Sequence, residues 1–242
     1  MRLPCQEGVA QRTGVHYHLS HMDGWQPVRR KYYLMVPFLI AINSFVFVVW
    51  QYYMPPPMNP GFVWMNENFT TSWQFLAQGR PWGLLTSVFS HNLLLHFFIN
   101  MFVLHSFGTL MERVMGSMSF LRFYLVAGIM GSLAHCVVSY TLIGNPEIQA
   151  LGASGAIAGV LLYFALLFPR EKILLFGLIP IPALIGALMF IGLDLWGLSA
   201  QARGGGLPIG HGAHLGGAFT GIFFYFLHRK LRRRRRFDPY FS

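Results

Sequence analysis

The sequence predicts an all-α, polytopic membrane protein built as a six-transmembrane-helix bundle, and three observations carry that reading. Of its 242 residues, 54% are hydrophobic and 11% charged, with a mean hydropathy of +0.47, which is too apolar and charge-poor for an ordinary soluble domain. The apolar residues gather into runs near the ~20 residues needed to cross roughly 30 Å of hydrocarbon. The remaining charge is mostly basic, net +10, and it falls between the runs in the pattern of the positive-inside rule.

The runs lie at approximately 33-53, 88-110, 118-142, 152-169, 173-193 and 209-228. The first follows Arg29, Arg30 and Lys31 and stops at Met54-Pro55-Pro56-Pro57, where consecutive prolines remove backbone donors. No short apolar region with a small-residue cleavage site precedes it, so no removable signal peptide is expected. Between 54 and 82 an aromatic segment with Trp64, Trp73 and Trp82 suits a loop on or in the outer leaflet, where amphipathic rings settle. The expected organisation is a cytoplasmic segment 1-32, a membrane domain 33-228 and a basic cytoplasmic tail 229-242. Cys5 and Cys136 supply neither a disulfide framework nor metal-ligand spacing, and Cys136 reads as buried and structural.

A cytoplasmic N-terminus places Arg29, Arg30, Lys31, Arg113, Arg122, Arg170, Lys172 and the tail Arg229 to Arg236 inside, with only Arg80 and Arg203 outside. The run Arg232 to Arg236 directly follows a span, where basic residues stop transfer and touch anionic lipid, so no nucleic-acid partner is expected. In this topology the even-numbered helices all run from the outer face inward. Their first turns therefore share one depth, and every polar candidate falls there: His91, His96 and Asn100 early in the second helix, Ser154 at the start of the fourth, His214 in the sixth. A cavity open to outside water is where such groups are tolerable.

Small-residue stripes make that convergence feasible. Gly155-x-x-x-Gly159, Gly212-x-x-x-Gly216 and Gly217-x-x-x-Gly221 let helix backbones approach closely. Serine and histidine have short side chains, so a bond of about 2.6 to 3.2 Å between them needs nearly touching backbones. Ser154, in Gly152-Ala153-Ser154-Gly155, sits at a helix N-terminus, whose unpaired amides favour an oxyanion. With Ala156 the motif is not the full Gly-x-Ser-x-Gly elbow. His214 suits a general base. Without an acidic neighbour in sequence, a dyad is favoured over a triad. Asp194 is the candidate third member, although its expected position at the outer end of the fifth helix favours a structural or capping role. His96 and Asn100, four apart, project from one helical face and suit an oxyanion clamp. His91 points away from that face and suits ordering of the loop entrance.

The competing reading joins His91, His96 and His214 around a metal with Asn100 in support, but no carboxylate or cysteine joins them and the spacing matches no standard zinc pattern. No metal and no cofactor are therefore expected. His16, His18 and His21 read as exposed loop residues. A transporter would place ionisable groups near the midplane and show two similar halves, and neither is seen.

These motifs together resemble the rhomboid intramembrane serine proteases. The matching pattern is His91-x4-His96-x3-Asn100, Gly152-x-Ser154-Gly155 and Ala213-His214-x-x-Gly217-x-x-x-Gly221, with Gly108-x-x-x-Glu112-x-x-x-Gly116 after the second helix. It covers roughly residues 33 to 228. The resemblance implies a Ser154-His214 dyad, an oxyanion site of His96, Asn100 and the Ser154 amide, and cleavage of transmembrane protein substrates near their outer ends. It departs from the family at Ala158, where many members carry an aromatic beneath the imidazole, and at Gly83, where an arginine often follows the tryptophan of Arg80-Pro81-Trp82. Either another side chain orients His214 or the dyad is looser. Substrate helices are expected to enter laterally and unwind locally, and Gly204-Gly205-Gly206-Leu207-Pro208 reads either as a lid over the site or as a plain connector with extra backbone freedom. The alternative is a catalytically inactive relative that binds membrane clients. The compact form and the absence of a targeting segment point to a bacterial-type inner membrane.

Overall fold

The computed structural model of the chain describes residues 33–54, 59–175 and 178–236. The expectations for segment 1-32 with its histidines and Cys5, for Pro55 to Pro57, for the side chains of Arg232 to Arg236 and for the end of the tail lie outside the described residues. Among those described, helices dominate. They are α1 (Met35–Tyr53), α2 (Pro60–Phe69), α3 (Trp73–Ala77), α4 (Gly83–Thr86), α5 (Leu94–Val103), α6 (Thr109–Met115), α7 (Ser117–Thr141), α8 (Ser154–Leu167), α9 (Ala183–Ala202) and α10 (His211–Arg236). Among the described residues, four helical stretches are long and apolar enough to cross a membrane: α1, Leu94–Met115, Ser117–Ile143 and α9.

The second span is α5 and α6 joined through a π-helical turn, Leu104–Gly108. It begins after His91, which therefore precedes the helix instead of lying on it. Its far end holds α1 in place. No side chain of α1 caps its own N-terminus. The fully buried Glu112 of α6 accepts the amides of Met35 and Val36, each at 3.0 Å, and takes a third bond from the Ser117 hydroxyl at 2.6 Å. A carboxylate at a helix N-terminus satisfies orphan amides and meets the positive end of the dipole.

The segment 54–82, expected as a loop, contains α2 and α3 instead. Asn59 and Ser72 cap them, accepting from the Gly61 and Phe75 amides, and Pro60 occupies the first turn of α2. Trp73 stacks on Tyr140 of α7 with centroids 4.7 Å apart, and Thr71 pairs with Ala150 in a β-bridge. Gly83 has a steric reason: a Cβ there would lie 2.6 Å from the Thr70 carbonyl oxygen.

The fifth span departs most from the sequence reading. Residues from 172 form an antiparallel hairpin, β1 (Lys172–Leu175) with β2 (Ile179–Pro182), and the helix starts only at Ala183. The cause is Ile179-Pro180-Ile181-Pro182: residues before proline are driven to extended conformations, so an apolar run cannot become helical until both prolines have passed. The span is thereby moved from 173-193 to Ala183–Ala202. Asp194 is accordingly interior to α9, not at its end.

α8 is the central element, packed against α7, α9 and α10. It is apolar and buried on nearly all sides, as a core helix must be. Its 14 residues rise about 21 Å, short of the hydrocarbon thickness. α10 crosses α8 at glycine contacts: a Cβ on Gly217 would overlap the Gly155 carbonyl oxygen, and one on Gly221 the Gly159 carbonyl oxygen. Cys136 is buried and contacts the Thr71 hydroxyl at 3.3 Å, in agreement with a structural cysteine.

Gly217→Ala is expected to lower the thermal midpoint in detergent markedly, because the overlap is with backbone and overpacking costs about 1–3 kcal/mol or more. Gly192→Ala, with open space around it, is expected to be neutral or slightly stabilising. Equal midpoints for the two variants would contradict the close α8–α10 contact.

Candidate active site

The approach to α8 is shaped by glycine and by His91. Gly152 adopts φ +124°, a backbone conformation open to glycine and few others, and its amide bonds to the Ser87 carbonyl at 2.9 Å. A side chain at Gly152 would strike the His96 ring, with Cε1 2.6 Å from the Cβ position. The next residue, Ala153, donates its amide to Nε2 of His91 at 3.3 Å. His91 is fully buried, and desolvation, helped by the nearby His96 charge, pushes its pKa down to about 3. Neutral His91 is thus an amide acceptor that sets the turn into Ser154, which agrees with the loop-ordering role expected for it.

Ser154, the first residue of α8, bonds through Oγ to Nε2 of His214 at 2.9 Å. The opposite ring nitrogen, Nδ1, donates to Oδ1 of Asp194 at 3.0 Å. Asp194 is only 4% exposed. The position expected for Asp194, at the outer end of the fifth helix, is therefore corrected: the two prolines displace the helix, and the carboxylate comes to rest against the imidazole. One turn earlier on α9, Phe190 lies against the same ring, with centroids 5.4 Å apart and planes inclined by 31°. The aromatic missing at position 158 is thus supplied by a neighbouring helix. Serine hydroxyl, imidazole and carboxylate in this line are an arrangement that can transfer a proton and steady the resulting imidazolium.

His96 and Asn100 line the same cavity of about 1130 Å³ as Ser154 and His214. Asn100 uses one amide proton on the His96 carbonyl at 2.8 Å, and an amide nitrogen carries a second. Residues Gly204 to Ile209 close another side of the cavity. His135, unremarked in the sequence, also lines it and is tied to the Ile148 carbonyl at 3.1 Å. His211, equally unremarked, bonds Asp194 Oδ1 from Nδ1 at 2.7 Å. Its sequence signal was its place three residues before His214 on one helical face. Asp194, His211 and His214 offer ligand atoms within 4.8 Å of one another, a spacing that can hold a cation. The grouping weighed from sequence is divided, since Nε2 of His91 serves the Ala153 amide and Nε2 of His214 serves Ser154.

Residues 78–231 match the profile of the Rhomboid domain. The chain belongs to the rhomboid family. Over 192 residues, 74% of this chain and 54% of the relative, the rhomboid chain is 33% identical to RHOMBOID-like protein 12, mitochondrial, of Arabidopsis thaliana. It is 31% identical to Rhomboid protein 1, mitochondrial, of Saccharomyces cerevisiae over 95% of its own length and 64% of the relative's. Against Rhomboid protease GluP of Bacillus subtilis, identity is 45% over 94 residues, 38% of this chain and 17% of that protein. The chain thus spans about half to two thirds of the first two relatives. It is an integral membrane protein. Two of these three relatives are mitochondrial by name, so the expectation of a bacterial-type inner membrane finds little support among them.

His91 predicts a pH effect on stability. Its ordinary pKa is 6.5 and its folded value about 3, so between those values the unfolded chain binds more protons and stability falls as pH falls. His91→Gln keeps an acceptor that does not titrate. Thermal midpoints in detergent between pH 6.5 and 4 are expected to fall less steeply for this variant than for wild type, and parallel curves would contradict the buried neutral imidazole.

Proposed function

We propose that this rhomboid chain is an intramembrane serine endopeptidase that cleaves transmembrane segments of membrane proteins near their outer ends. The observation that carries the proposal is the 2.9 Å bond between Ser154 Oγ and His214 Nε2, with His214 held from behind by Asp194 and Phe190. A hydroxyl and an imidazole facing one cavity within an apolar bundle are costly to keep without a task.

In the proposed mechanism His214 Nε2 takes the Ser154 proton as Oγ attacks the scissile carbonyl carbon. Asp194, a positioning residue, accepts from Nδ1 and stabilises the imidazolium. The oxyanion is received by the second amide proton of Asn100, a ring N–H of His96 and the Ser154 amide at the N-terminus of α8. His214 then returns the proton to the leaving amine as the C–N bond breaks. Water reaching the cavity hydrolyses the acyl-enzyme, with His214 again acting as base. A substrate helix hides its carbonyls in hydrogen bonds and must unwind locally first, which small or helix-breaking residues near its outer end favour. Gly204 and Gly206, at φ +80° and +85°, give the covering segment the backbone of a lid. The partners are transmembrane substrates and the lipid bilayer, with both chain termini on the cytoplasmic side as the basic residues argue.

In liposomes with a single-span substrate, Ser154→Ala is expected to abolish cleavage and His96→Ala or Asn100→Ala to lower kcat by about 10²–10³-fold. Cleavage by Ser154→Ala equal to wild type would overturn the serine mechanism. Substrate capture without cleavage by wild type would favour the client-binding alternative.

A further inference from the structure

We infer that His211 is a positioning residue that locks the carboxylate of Asp194 against His214, and that Gly197 is absent a side chain so that His211 can reach it. The inference rests on the proposed role of Asp194 in orienting His214. A carboxylate at this depth requires partners, and Asp194 has two, both on one oxygen. Oδ1 accepts from His211 Nδ1 at 2.7 Å and from His214 Nδ1 at 3.0 Å, while Oδ2 is buried and makes no hydrogen bond.

Two donors on one oxygen do what one cannot. The terminal torsion of aspartate is broad, so a carboxylate held only by His214 can rotate and carry the imidazole with it. The rings of His211 and His214 stand 87° apart, with centroids 6.5 Å apart. Two separate rings thus hold the same Oδ1, and the oxygen is pinned where their N–H groups meet. The shorter bond is the one from His211.

The surroundings of His211 are built for this placement. It opens α10, is 7% exposed, and its amide bonds to the Ile209 carbonyl at 2.8 Å. A Cβ at Gly197 would overlap its ring. Phe190, Asp194 and Gly197 are spaced i, i+4 and i+7, so one face of α9 presents in turn a ring to His214, a carboxylate between the histidines and a recess for His211. Neither His211 nor Asp194 lines the substrate cavity. Their loss is thus expected in turnover, not in substrate binding.

The test is steady-state cleavage of a single-span substrate by the full chain in liposomes, separating kcat from KM. Asparagine and leucine have nearly the same shape, and asparagine alone carries a donor near the place of Nδ1. His211→Leu is expected to lower kcat by about 10- to 100-fold, the scale of a misplaced reacting group, with KM within about twofold. His211→Asn is expected to recover most of the loss, and Gly197→Ala to behave like His211→Leu. If Asp194→Asn is impaired while His211→Leu turns over like wild type, or if His211→Asn is no better than His211→Leu at equal thermal midpoint, the role of His211 is overturned and that of Asp194 stands. If Asp194→Asn turns over like wild type, the reading of Asp194 itself fails. Should His211→Leu not fold, Gly197→Ala carries the comparison, and wild-type kcat in that variant overturns the inference.

Discussion

The close approach of α8 and α10 is the constraint on which the site depends. Serine and histidine reach only a short distance from their backbones, and a 2.9 Å bond between them requires the helices to touch at their glycines. Gly217 against the Gly155 carbonyl and Gly221 against the Gly159 carbonyl provide that contact. In lipid the hydrophobic effect does not drive helices together, so van der Waals contact and interhelical hydrogen bonds must. The glycines supply the first and the Ser154–His214 bond contributes to the second.

Close approach sets distance but not direction, and direction comes from α9. Phe190 and Asp194, one turn apart, present a ring face and a carboxylate to His214. This explains how the chain accommodates Ala158: the space beneath the imidazole is filled from the neighbouring helix. At the opposite end of the bundle Glu112 does comparable work on the backbone, capping α1 from a distant helix. Both cases place a buried carboxylate only where several N–H or O–H groups converge on it.

Much of this was legible in the sequence because lipid imposes simple rules. Apolar run length located the helices, and the shared direction of the even-numbered spans brought His96, Asn100, Ser154 and His214 toward one end, where the structure has all four lining one cavity. Hydropathy alone did not distinguish a hairpin from a helix between 172 and 182. Pro180 and Pro182 were the available signal, and overlooking them shifted the fifth span and misplaced Asp194. His211 was hidden for a related reason, since its significance depends on which residues of α9 face α10. The π-helical turn at Leu104–Gly108 has no sequence signal that run length detects.

The central claim is that His214 makes the Ser154 hydroxyl a nucleophile. Treatment of the membrane-embedded chain with a fluorophosphonate, followed by peptide mass spectrometry, reads that property without any assumption about substrate. The account predicts a phosphonyl adduct on Ser154 in wild type and its loss in His214→Ala. Absence of the adduct from Ser154 in folded protein, or labelling of Ser154 that is unchanged when His214 is removed, would contradict it.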